Sequence, residues 1–274
     1  MEDERIKEVL EKMNDADVVL VGLGTAFELS DERILQDSQM YIKYRSDVES
    51  FSKEEQYWIG KAFVYQALKN PTGIVKKKLS YYNQLLDQVK DKDYFVVSTC
   101  RDGLLEYTEF DQSKTVKPCG DFLGMQCNID CLHEVVDTKE HLTRLYDAAI
   151  DGTLKQIQII PSCPHCQNQM IFNIGDGHTE YYSESRYLPD WETYREWLQR
   201  TLNKKILLLE LGVSFDAPTV IRWPFEKIAY INKKAYLVRV NDTYYQLTEE
   251  LKGKGTSINA DVDQFFKTLT EPEI

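Results

Sequence analysis

The stretch Asp17-Val18-Val19-Leu20-Val21-Gly22-Leu23-Gly24-Thr25-Ala26 decides the architecture. An unbroken apolar run that ends in glycine suits a strand buried on both faces, as in a parallel sheet. Three further runs resemble it: Tyr94-Phe95-Val96-Val97-Ser98, Ile206-Leu207-Leu208-Leu209-Glu210-Leu211 and Ala235-Tyr236-Leu237-Val238-Arg239-Val240. Helical periodicity fills the intervals. Ile6, Val9, Leu10 and Met13 follow the i, i+3, i+4, i+7 rule, which predicts a helix over 3–14. Residues 54–68 place Tyr57, Ile59, Phe63 and Ala67 near one face, and 77–90 do the same for Leu79, Tyr82, Leu85, Leu86 and Val89. A further helical stretch, 190–202, carries Trp191 and Trp197. Strands alternating with helices predict an α/β fold with a parallel sheet.

Residues 117–180 break this rhythm. They hold five of the six cysteines and two short strand patterns, Gln156-Ile157-Gln158-Ile159-Ile160 and Met170-Ile171-Phe172. The expectation is a small module, 117–180, inserted into a larger domain formed by 1–116 and 181–274. Cys127-x-x-x-Cys131 and Cys163-x-x-Cys166 are close pairs with 31 residues between them. Two such pairs supply four thiolates at the corners of a tetrahedron, the closed geometry of structural zinc. Pro164 helps form the second turn, and His165 is expected to point away, exposed. Four protein ligands leave no open coordination position, so this zinc would be structural. The alternative is two unrelated thiol pairs in apolar surroundings.

The chain has 274 residues, enough for one or two domains and for a core that needs no disulfides. Its 33 basic and 45 acidic side chains leave a net charge of −12, which repels phosphate backbones and argues against a nucleic-acid partner. Lys76-Lys77-Lys78 is expected to be a solvated face. No run approaches a membrane span, and the acidic Met1-Glu2-Asp3-Glu4-Arg5 lacks the apolar core of a signal peptide. A cytoplasmic location follows as an expectation, in which cysteines serve as metal ligands or reactive thiols rather than disulfides.

Gly22-Leu23-Gly24-Thr25-Ala26 follows the first strand directly. Glycines there let backbone approach a pyrophosphate, with nearby N–H groups carrying the anion. The motif is weak alone, because Phe27 stands where the usual third glycine would be. A plain strand–helix connection remains the competing interpretation.

Taken in order, these pieces resemble the sirtuin family, and in particular its macrodomain-linked bacterial branch, class M. Val21-Gly22-Leu23-Gly24-Thr25-Ala26 stands where that family has Gly-Ala-Gly. Asp91 to Thr99, followed by Asp102-Gly103, matches the strand leading into its Thr-x-Asn-x-Asp motif. Gly120-Asp121-Phe122 through Gln126-Cys127 resembles the entry to its zinc module, and Pro161-Ser162-Cys163-Pro164-His165-Cys166 the exit. Leu209-Glu210-Leu211-Gly212-Val213-Ser214 and Ile221-Arg222-Trp223-Pro224-Phe225-Glu226 are similar to its late cofactor strand and following helix.

The resemblance implies a Rossmann-like domain holding NAD, an inserted zinc-binding domain and an acceptor cleft between them. It implies cleavage of the nicotinamide–ribose bond and transfer of ADP-ribose to a protein acceptor, or removal of an acyl group from lysine. Gly22, Leu23, Gly24 and Thr25 would then cradle the pyrophosphate, and Asp102, with Arg101 beside it, would orient the nicotinamide. Gly212, Val213, Ser214 and Asn241 would hold the adenosine side. A lipoyl-carrier or macrodomain protein is the kind of partner the resemblance suggests.

Two departures concern the chemistry. Where ordinary sirtuins carry a general-base His and class M carries Gln, this chain has Cys119. Where the family has Asn beside the ribose, it has Cys100. A thiol is a poor base at neutral pH, though its thiolate is a good nucleophile. The pair is therefore either a rebuilt catalytic site or soft filler in a pocket that has lost its chemistry. A catalytically inactive NAD or ADP-ribose binding module and an NAD hydrolase are the alternatives to a transferase. Pro224 and Glu226 suit the first turn of a helix, with ligand contact as the alternative, and Arg222 suggests a surface ion pair, though it could also reach a phosphate or the acceptor. If Gly24 faces the pyrophosphate, Gly24→Val would abolish NAD binding without unfolding the domain.

Overall fold

The structure, a computed structural model, describes residues 2–177 and 179–270. In chain order its elements are α1 (Glu2–Asp15), β1 (Val18–Leu23), α2 (Asp31–Asp37), α3 (Gln39–Val48), α4 (Lys53–Lys69), α5 (Gly73–Val89), β2 (Asp93–Ser98), β3 (Thr115–Val116), β4 (Gly120–Cys127), β5 (Val135–Asp137), α6 (Lys139–Ile150), β6 (Met170–Ile174), α7 (Leu188–Arg200), β7 (Ile206–Leu211), α8 (Arg222–Ile231), β8 (Tyr236–Val240), β9 (Gly255–Ile258) and α9 (Val262–Thr270). Residues 271–274 lie outside the described residues.

Among the described residues, six strands form a parallel sheet in the order β3-β2-β1-β7-β8-β9. The alternation of side chains explains the unbroken apolar runs. Val19, Val21 and Leu23 join a core with α1, α4, α5 and α9, whereas Val18 and Leu20 join one with Tyr194 and Trp197 of α7 and Phe225 of α8. Both faces are covered, so both sets of alternate residues are apolar. One polar pair interrupts them. Glu210 of β7 lies opposite Arg239 of β8, and the guanidinium donates to both carboxylate oxygens, at 2.6 and 3.1 Å. Arg239 also reaches Glu226 at 2.8 Å, so that acid neutralises a buried cation instead of meeting the helix dipole in the first turn of α8.

A second, three-stranded antiparallel sheet has the order β5-β4-β6. Its Phe172 stacks on Trp58 of α4 at 3.9 Å between ring centroids, which anchors this sheet to the main core. Two local expectations fail. Gln156–Ile160 is not a strand: a 3-10 turn covers Leu154–Gln156, and Ile159 is buried under α6, whose His141 contacts its carbonyl. Lys78 does not sit on a solvated face. It is 7% exposed, with Nζ 4.0 Å from the centre of the Phe27 ring.

Candidate functional site

The sheet order places β1 and β7 side by side, with later strands running outward on either side. Their carboxyl ends flank the switch point, where ligands of open α/β sheets bind. Four loops meet there. Gly24 N–H donates to Leu211 O at 2.9 Å and Ala26 N–H to Gly212 O at 3.1 Å, stitching the β1 turn to the end of β7. Thr99 N–H donates to Leu23 O at 2.9 Å, and the Cys100 thiol lies 3.3 Å from Gly24 O. Asn241, beyond β8, donates to Val213 O at 3.0 Å and accepts the amides of Thr243 and Tyr244. The structure thus brings Leu23, Gly24, Thr25, Cys100, Gly212, Val213, Ser214 and Asn241 together at the carboxyl ends of the strands, whereas the bare face of Gly22 is turned to Ile221 and Phe225.

Gly24 has an ordinary extended backbone, with φ −97° and ψ 175°. Glycine is needed there for space. A Cβ would lie 2.3 Å from both Gly212 O and Val213 Cα, so the missing side chain admits the β7 loop and not a ligand. The expectation that Gly24→Val would spare the fold is therefore corrected. The amides of Gly24, Ala26 and Phe27 are also engaged by protein carbonyls. Two hydroxyls also stand at the crevice. Thr25 Oγ1 and Ser214 Oγ lie 3.0 Å apart, and both reach the same oxygen of Asp216, at 2.8 and 2.7 Å. A hydroxyl pair that converges on one carboxylate oxygen is a donor set that fits an oxyanion such as a nucleotide phosphate.

Asp102 is buried, and its two oxygens accept the amides of Leu29 and Leu104 at 2.8 and 3.0 Å, pinning the loops after β1 and β2 together. Burial raises its carboxyl from 3.8 to about 7, against the pull of the Leu29 amide. Because the folded state holds this proton more tightly than the unfolded chain, the contribution to stability is complete below about pH 4. It is lost as pH rises through about 7. Asp102→Asn is expected to flatten the fall in stability between those limits in denaturant titrations; parallel profiles for the two proteins would contradict this.

Burial also pushes the Cys100 thiol well above its usual range, reinforced by Asp102 and Glu28. Burial raises Cys119 to about 11 although Arg101 opposes it. Arg101 itself lies 3.6 Å from Glu28. At neutral pH a thiol with the pKa of Cys119 is roughly one part in 10⁴ thiolate.

Cys127, Cys131, Cys163 and Cys166 meet at the far end of β4, with their four Sγ atoms all within 4.8 Å of one another. Two of the pairs, 3.4 Å for Cys127–Cys166 and 3.6 Å for Cys131–Cys163, are close to the ~3.8 Å edge of a tetrahedron with Zn–S bonds of ~2.3 Å. Local turns produce this. Asp130 and Gln167, each beside a cysteine, adopt positive φ of 46° and 63°, and the side-chain Nδ2 of Asn168 donates to Cys166 Sγ at 3.3 Å. His165 is exposed, as its position between two ligands predicts.

Two features of the crevice went unread in the sequence and a third, Lys78, was misread as solvated. Asp216 lies two residues beyond Ser214 in an irregular loop, with no periodic signal to mark it. Glu28 follows the β1 turn. Lys78 did leave a trace, since Val75, Lys78, Tyr82, Leu85 and Val89 follow the helical repeat that marks a buried stripe. Arg222 corrects another expectation. It is 5% exposed, donates to the carbonyls of Val213 and Tyr244, and stacks 4.3 Å from the centre of Phe215, so its partners are carbonyls and a ring rather than a surface acid.

No family model matches the chain. It is 22% identical to a protein ADP-ribosyltransferase of Staphylococcus aureus strain Mu50, over 97% of this chain and 88% of that protein. It is 24% identical to a probable bifunctional ADP-ribose hydrolase/ADP-ribosyltransferase of Fusarium oxysporum f. sp. cubense, over 66% of this chain but only 31% of that larger protein. A solved chain from work on the mechanism and regulation of Sir2 enzymes superposes with a TM-score of 0.53, at 14% identity, covering 99% of this chain and 98% of the other. Among the described residues no helix is long and apolar enough to cross a membrane. With a parallel Rossmann-like sheet, an inserted four-cysteine cluster and a matching solved chain along nearly its whole length, the protein has a Sir2-like fold.

Proposed function

We propose that the protein is an NAD-dependent transferase that moves ADP-ribose to a protein acceptor, with lysine deacylation weak or absent. The observation that carries this is the similarity, along 97% of the chain, to a protein named for ADP-ribosyl transfer. The crevice supports it, because the hydroxyls of Thr25 and Ser214 suit a phosphate at the switch point. NAD, when bound, supplies the ADP-ribosyl group with nicotinamide as the leaving group. The chain's contribution is positional. The glycine-tight β1–β7 junction shapes the crevice floor, Asp102 holds its two loops, and buried Cys100 fills the space beneath the turn. Cys119, a protonated thiol, is no substitute for an imidazole base, whose contribution is typically 10²–10⁴-fold.

The same protonated thiols favour a second possibility, a module that binds NAD or ADP-ribose without cleaving it. Time-resolved nicotinamide release from NAD, followed by label transfer to acceptor proteins, separates the two. The expected result is release coupled to labelling, unaffected by iodoacetamide at pH 7, with deacylation at least about 100-fold below that of a His-bearing sirtuin. Binding of ADP-ribose with no nicotinamide release would establish the silent module instead. Release without labelling would indicate hydrolysis.

A further inference from the structure

We infer that Asp216 is a built-in competitor for the phosphate position, so that the chain's own carboxylate sets how tightly the crevice takes a nucleotide diphosphate. The inference rests on the NAD reading of the crevice. Three contacts define the arrangement. Thr25 Oγ1 and Ser214 Oγ both donate to Asp216 Oδ2, at 2.8 and 2.7 Å, and Asp216 N–H donates back to Ser214 Oγ at 3.1 Å. Thr25 comes from the turn after β1 and Ser214 from the loop after β7, so the carboxylate bridges the two lips of the switch point. Each hydroxyl has a single proton; the two oxygens also lie 3.0 Å apart, and Asp216 Oδ2 is the acceptor within reach of both.

A phosphate oxygen can take those protons only if the carboxylate leaves. While the carboxylate stays, it also places a like charge against the incoming anion. Protonation does not relieve this, because the Ser214 and Thr25 hydrogen bonds hold the Asp216 carboxyl below its ordinary value. Displacement has an outlet. Arg101 is close enough to favour the ionised carboxylate, and Asp216 lies exposed in the loop after β7. Apparent affinity is then the intrinsic affinity reduced by the fraction of molecules with the carboxylate swung out. The effect is specific to phosphate-bearing ligands, since only these need the hydroxyl pair.

Calorimetric titration of the full chain with ADP-ribose, NAD and adenosine tests this. Asp216→Ala and Asp216→Asn are each expected to bind ADP-ribose and NAD about tenfold more tightly or better, with adenosine affinity unchanged. Thermal unfolding of both variants checks that the fold is intact. Equal affinity for ADP-ribose in parent and variants would overturn the inference while leaving the NAD reading in place. Weaker binding in the variants would overturn it too, and would make Asp216 a ligand for ribose hydroxyls. If neither parent nor variants bind ADP-ribose or NAD at millimolar concentration, the NAD reading fails and the inference with it.

Discussion

Removing the metal with a strong chelator, or replacing Cys127 by Ser, is expected to unfold the end of the small sheet while leaving the parallel sheet intact. Structural zinc in a thiolate site contributes on the order of 10 kcal/mol of apparent binding energy, and little else holds this region. The core around the cysteines consists of Cys127, Cys163 and Met170, with Met125 packed beside them. Segments 128–136 and 157–169 are otherwise turns, one short strand and bends. The other end of the sheet is secured independently, because Phe122, Leu123 and Phe172 belong to the main core and Phe172 stacks on Trp58. Elemental analysis should find about one zinc per chain, and hydrogen exchange after chelation should rise sharply in the two cysteine segments but little in β1, β2 and β7. Purified, folded protein with no zinc would refute the assignment, as would uniform exchange across the whole chain.

Gly24→Val should damage the fold before it says anything about ligands. The first carbon of the new side chain would lie 2.3 Å from Gly212 O and from Val213 Cα, both backbone atoms at the end of a central strand. Nothing flexible can give way there. Gly212 has φ +65°, and its own Cβ would sit 2.7 Å from Phe27 N, so the opposite lip is equally tight. Overpacking of a rigid core costs about 3 kcal/mol or more, or roughly 10 °C in the unfolding midpoint for a chain of this size. Gly60→Ala provides the control. It lies inside α4, where the nearest atom to a new Cβ is Leu35 Cδ1 at 3.6 Å, and it should stabilise by about 0.5–1 kcal/mol. Thermal unfolding of the two variants decides the matter, and a Gly24→Val protein as stable as the parent would show that this glycine faces open space.

What the sequence determined by itself was everything carried by local periodicity and spacing. The apolar runs of β1, β2, β7 and β8 each became a parallel strand, because strands covered on both faces have no polar side to alternate with. The long helices α1 and α5 followed their buried stripes, whereas α4 is buried without a break from Trp58 to Tyr65 and leaves Tyr57 exposed, so the face read from Tyr57, Ile59, Phe63 and Ala67 is not the buried one. The four metal-site thiols were legible because close pairing in a chain is a local property, and a turn converts it into a shared site. The short elements β3, β5, β9 and α2 carry too few residues to show a period. The crevice is different in kind. Its bonds join Thr25 to Ser214 and Asp216 across 189 and 191 residues, and Cys100 to Gly24 across 76. Only tertiary structure decided that Gly24 makes room for backbone, that Lys78 and Arg222 are buried cations, and that a carboxylate occupies the hydroxyl pair. Each of these depends on which carbonyl, ring or charge lies opposite the side chain. That neighbour is supplied by a different loop, brought there by the order of the strands.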